Sequence, residues 1–131
     1  MGIWAEGSFD NDDAGDWVWE LEEAEDIVIL EEAFSAVIDN EDDLEAPDCS
    51  VAVAAAEVVA ALRQHPANNL RKEVQTFVSH LNEQPSEALV TSALAALKRV
   101  RTKSELQELW DKSANGENWR QAISELESRL R

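Results

Sequence analysis

The chain has 131 residues, enough for one domain around one hydrophobic core and too few for two ordinary ones. Apolar residues make up 44%, which excludes a disordered acidic tail, and a formal net charge of −17 works against nucleic acid and anionic membrane while favouring basic partners. That charge is uneven: residues 1–65 hold 19 Asp/Glu against one basic residue, Arg63, whereas residues 66–131 hold 9 Asp/Glu and 10 Lys/Arg.

The opening, MGIWAEGSFDNDD, reads as an aromatic N-terminal arm over residues 1–9. Burying a Phe is worth about 1.5–3 kcal/mol, so Trp4 and Phe9 are expected either to tuck onto the core or to meet a partner. The first helix is predicted to start between Asp10 and Asp13, whose side chains can cap free N–H groups and suit the positive end of the helix dipole. Ala14, Trp17, Val18 and Leu21 then follow helical spacing, while Trp19 lies off that stripe. A second helix carries Ile27, Leu30, Phe34, Val37 and Ile38 on one face, and residues 39–48 read as a solvated acidic loop.

Pro47 suits the first turn of a third helix, where its missing N–H costs nothing. This helix, VAVAAAEVVAALR, is apolar around most of its circumference and is expected at the centre of the fold. A fourth shows a single stripe of Leu70, Val74, Phe77, Val78 and Leu81. After the break at Gln84-Pro85-Ser86, a fifth carries Leu89, Ala93, Leu97 and Val100, with Lys98, Arg99 and Arg101 at the negative end of its dipole. Ser104 and Gln107 form a capping-box signature opening a sixth, with Leu106, Leu109 and Trp110 on its apolar face and Asn115-Gly116 as its stop. The seventh buries Trp119, Ile123, Leu126 and Leu130. Strand-like alternation is absent. The sum is an all-α chain, one domain over residues 1–131, forming a compact bundle or array of about six to seven short helices.

The N-terminal string MGIWAEGSFDNDDAGDW resembles the opening of a bacterial family, domain-of-unknown-function family 4259. Gly2, Trp4, Gly7, Phe9, Asn11, Asp12 and Ala14 fit its pattern, and Ala5 stands where the family often has Gly. Leu44–Leu62 and Ser104–Leu130 look like the same family, whereas residues 66–103 carry little of the likeness. The resemblance implies a bacterial, helical, single-domain protein and carries over no activity, ligand or catalytic residue.

Chemistry is thin on the ground. The run from Asp10 to Gly15 puts a glycine at position six of a calcium-loop register, but Ala14 and Leu21 stand where that loop needs a polar ligand and a bidentate Glu. One cysteine and two histidines without close spacing give no zinc set, so no metal, cofactor or catalytic residue is assigned and an enzyme is not expected. Cys49, in the first turn of a helix, has the dipole to lower its thiol pKa but no base nearby in sequence, so a buried or half-buried inert cysteine is expected. A lone cysteine, no N-terminal basic and apolar run, and no apolar stretch near the ~20 residues of a membrane span point to a cytoplasmic chain. The leading reading is a non-catalytic acidic protein that docks a basic protein partner, an immunity-type inhibitor of a basic toxin or nuclease being one form. Its candidate docking residues are Trp4, Phe9, Asp10, Asp12, Asp13, Asp16 and Trp19. Two alternatives stay open. One is a homo-oligomeric structural domain that sets its acidic half against the basic stretch Lys98–Lys103. The other is a divalent-cation or enzymatic site in the Asp10–Asp16 cluster.

Overall fold

A computed structural model describes residues 12–40, 44–65, 72–81, 84–112 and 116–131. Among them the chain forms seven helices and no strand: α1 (Asp12–Glu23), α2 (Val28–Ile38), α3 (Ala46–Leu62), α4 (Lys72–Leu81), α5 (Glu87–Thr102), α6 (Glu105–Asp111) and α7 (Gly116–Leu130).

The apolar girdle of α3 sets the architecture. Every residue from Ala52 to Leu62 is buried, and α3 packs against all six other helices. Its Ala side chains are short enough for neighbours to approach on every side, so α3 is the axis of the fold. Around it, α2 packs on α5, α1 on α4, α5 on α6 and α7, and α6 on α7. Trp110 and Trp119 stack with planes 4° apart and centroids 6.0 Å apart, joining α6 to α7.

Helix ends follow from local chemistry. Pro47 stands in the first turn of α3, which begins at Ala46, so the acidic loop ends at Glu45 rather than at Asp48. Glu45 makes no side-chain cap. A distant carboxylate serves instead: Glu105 Oε1 accepts from the Ala46 N–H at 2.9 Å, while the Glu105 N–H donates to the Leu44 carbonyl at 2.8 Å. At the other end, Gln64 takes a left-handed φ of 67°, and the N–H groups of Gln64 and His65 donate to the carbonyls of Ala61 and Ala60. This is the Schellman pattern, here with glutamine in the place usually held by glycine.

Several sequence expectations need correction. Ile38 closes α2 on the edge of its buried stripe (Leu30, Ala33, Phe34, Val37) and is 41% exposed rather than inward-facing. Only half of the capping box forms: Ser104 Oγ accepts from the Gln107 N–H at 3.0 Å, but the Gln107 amide turns to Asp111. Gly116 does not stop α6. It is the first residue of α7, where a β-carbon would collide with the Trp110 carbonyl oxygen, so glycine is required for close approach.

Candidate functional site

The acidic half of the chain spans α1, α2 and α3, and no Lys or Arg occurs before Arg63. Helical spacing turns Ala14, Trp17, Val18 and Leu21 of α1 into the core, which leaves the opposite face to solvent. Asp16, Trp19, Glu20, Glu22 and Glu23 all stand on exposed positions there. Trp19 is 66% exposed, against 5% for Trp17 two residues earlier. At 100° per residue, Gly15, Asp16, Glu22 and Glu23 surround Trp19 on the helix surface. The arrangement is an indole held in water among carboxylates.

The electrostatics of α1 run against ordinary helix practice. The C-terminal end of a helix carries roughly −0.5 elementary charge and is usually relieved by Lys or Arg. The last turn of α1 has no basic residue, and it adds Glu22 and Glu23 to that negative end, with Glu25 just beyond. These three glutamates line one wall of a groove of about 500 Å³. The facing wall is one side of α4: Lys72, Glu73, Thr76, Phe77 and His80. Buried Phe77 and half-buried Ala24 supply the apolar part of the lining.

The predicted docking residues divide. Trp4, Phe9 and Asp10 lie outside the described residues; Asp12 and Asp13 open α1, but their side chains lie outside them too. Asp16 and Trp19 are brought together on the exposed face of α1. The backbone is α-helical from Asp12 onward, which leaves no twelve-residue calcium loop running from Asp10 to Leu21. Among the described residues no three His, Cys, Asp or Glu side chains are placed to hold a metal ion. Sequence reasoning missed the α4 wall. The signal within reach was the last turn of α1, with two glutamates where a helix wants cations.

Cys49 is buried, and burial pushes its thiol up to about 11 despite hydrogen bonds with Ser104 and Leu106 and the nearby charge of Arg99. A buried cysteine is what the sequence leads one to expect, and desolvation outweighs the dipole that its place in the first turn of α3 supplies. The basic stretch is split: Lys98 and Lys103 are exposed, whereas its two arginines are half-buried and engaged within the chain. Arg99 donates to the carbonyls of Asn40 (2.6 Å) and Lys103 (2.9 Å), and Arg101 lies 3.2 Å from Glu127.

A family model described as Domain of unknown function (DUF4259) matches residues 2–122. The chain belongs to this family. The DUF4259 match takes in all of α1 through α6 and both walls of the groove. No curated protein and no solved structure matches the chain. Among the described residues of this DUF4259 member, no helix is long and apolar enough to cross a membrane.

Proposed function

We propose that this chain is a non-catalytic binding protein that offers its acidic half, with the exposed face of α1 at its centre, to a basic protein partner. The observation that carries the reading is Trp19, 66% exposed on a helix whose every charged residue is acidic. An exposed Trp costs solvation and contributes nothing to the core, whereas Trp is a frequent anchor of protein interfaces. Exposed Val28 and Ile38 on α2 add apolar surface to the acidic half. A field of one sign steers an oppositely charged partner and speeds its association. An inhibitor of a basic toxin or nuclease, working in the cytoplasm, is one concrete form. Nucleic acid and anionic membrane, both negatively charged, are not the partners. The homo-oligomeric reading gains less, because Arg99 and Arg101 are engaged within their own chain.

The test is capture of partners from the native lysate by the wild-type chain and by Trp19→Ala, followed by association kinetics with the captured protein across ionic strength. The reading expects a partner of high pI, lost with Trp19→Ala, whose association rate falls steeply with salt. A partner of low pI, or association indifferent to salt, would overturn it.

A further inference from the structure

We infer that the groove between the end of α1 and the exposed side of α4 is the pocket that receives an arginine side chain of the basic partner. The inference rests on the acidic-face reading and adds to it a place and a chemical class. Its starting point is the shape and charge of the groove. Four glutamates (Glu22, Glu23, Glu25, Glu73) and one lysine (Lys72) line it, a formal charge of −3. The carbonyl end of α1 adds its own negative potential, with no cation in its last turn to relieve it. Charge complementarity therefore selects a cation.

The chemistry of the lining narrows the class. Glu22, Glu23 and Glu25 spread their carboxylates along one wall of a space of about 500 Å³, and among the described residues no three metal-ligating side chains converge. That suits an extended organic cation better than a small ion that needs several oxygens within 2.6 Å. Buried Phe77 and partly buried Ala24 give the groove an apolar part, which a bare ammonium cannot use well. A guanidinium is planar and weakly hydrated. It stacks on aromatic rings, forks to carboxylates, and brings an apolar stem to lie along such a lining. Trp19 stands one turn before Glu22 and Glu23, on the same outward face of α1. A partner chain that seats an arginine between α1 and α4 thus has an exposed indole beside its path. The negative end of α1, with no cation in its own last turn, becomes the part of the surface that recognises the guanidinium.

The experiment is an NMR titration of the full chain with a short peptide of alternating arginine and glycine, repeated with lysine in place of arginine. Three variants go alongside: Thr76→Phe, which fills the groove without changing charge; Glu22→Gln/Glu23→Gln, which removes rim charge; and Glu31→Gln/Glu32→Gln, which removes equal charge from exposed positions on α2. The expected result is saturable shifts at Ala24, Thr76 and Phe77 with the arginine peptide and weaker ones with lysine. Binding should fall at least tenfold in Thr76→Phe and in Glu22→Gln/Glu23→Gln, and by less than threefold in Glu31→Gln/Glu32→Gln. Equal weakening by both charge-removing pairs, with Thr76→Phe binding as wild type, would overturn the groove and leave the acidic-face reading standing. No shift anywhere on α1, α2 or α4 would remove both. Thr76 and the four glutamates of the control and rim pairs are exposed, and unchanged melting temperatures verify that each variant folds.

Discussion

The guanidinium of Arg129, on α7, places Nη2 2.6 Å from Oε1 of Glu57, on α3, with side-chain exposures of 18% and 5%. Burial opposes the charge on Arg129, but its hydrogen bond to Glu125 and the charge and hydrogen bond of Glu57 outweigh it and hold the guanidinium above its ordinary pKa. Around this pair the ends of α3 and α7 are laced together. The His65 ring N–H donates to the Arg129 carbonyl at 2.8 Å, and Arg63 donates to the Arg131 carbonyl at 3.1 Å. The acidic half is thereby tied to the C-terminal helix by the buried glutamate of its central helix.

Removing one member of a buried pair leaves the other uncompensated. Arg129→Met is expected to lower unfolding free energy by about 3 kcal/mol, while Glu57→Met/Arg129→Met recovers most of the loss, because two apolar residues strand no charge. Urea denaturation of both variants checks this. A double variant no more stable than Arg129→Met would show that the cost is lost packing rather than a stranded carboxylate.

Cys49 sets a pH dependence whose sign is opposite to that of a depressed carboxylate. Its thiol titrates near 11 when folded and near 9.0 when free. The unfolded chain therefore releases this proton first as pH rises. The contribution is intact below pH 9 and is lost between about pH 9 and 11, a decline on the order of 2–3 kcal/mol. Stability measured from pH 8 to 11 should fall more steeply for wild type than for Cys49→Ala. Parallel curves would show that the thiol is not what titrates. Labelling with a thiol reagent at pH 8 should be slow until denaturant is added.

Two backbone positions respond in opposite directions to changes in one methyl group or side chain. Gly116→Ala drives a β-carbon into the Trp110 carbonyl, and the shift it forces should cost about 1–3 kcal/mol, reversing the usual gain for alanine in a helix. Gln64→Gly frees the left-handed residue after α3 from its steric penalty and should gain about 0.5–1 kcal/mol. Melting curves of the two variants should move to opposite sides of wild type.

The two neighbouring tryptophans should behave as different kinds of residue. Trp17→Ala empties a core position and is expected to cost about 3–5 kcal/mol. Trp19→Ala, from an exposed position, should change stability by less than about 0.5 kcal/mol, while weakening the captured partner by at least about 2 kcal/mol. A large stability loss from Trp19→Ala would move that indole from interface to scaffold.

Much of the helical layout is legible in the sequence, and the reason is physical. In α5 and α7 a single stripe of large apolar residues at helical spacing has only one way to face the core, so Leu89, Leu97, Ile123 and Leu126 are buried as their spacing predicts. The ends are less legible. Asn115-Gly116 fits the close of one helix as well as the opening of the next, and only the approach to Trp110 decides between them. The remote cap of α3 by Glu105 and the turning inward of Arg99 depend on tertiary neighbours that no local pattern encodes. The groove is the clearest case. Glu22 and Glu23 are visible as unusual helix-end residues, but their opposite wall, Thr76 and Phe77, lies about fifty positions away and faces them only once α1 has packed on α4.

The same helix end yields a last prediction, in which stability and binding part company. Glu23 is exposed in the last turn of α1, beside Glu22 and the carbonyl end of the helix. Glu23→Lys replaces an unfavourable charge–dipole interaction by a favourable one and thins a crowd of like charges. It should raise unfolding free energy by about 0.3–1 kcal/mol at low salt, a gain that shrinks as salt screens it. The lysine also puts a positive charge on the rim of the groove, so a basic partner should bind at least tenfold more weakly. A helix end tuned only for the fold would carry that lysine already. If Glu23→Lys melts no higher than wild type in low salt, the negative end of α1 is not under electrostatic stress, and its glutamates need no functional explanation.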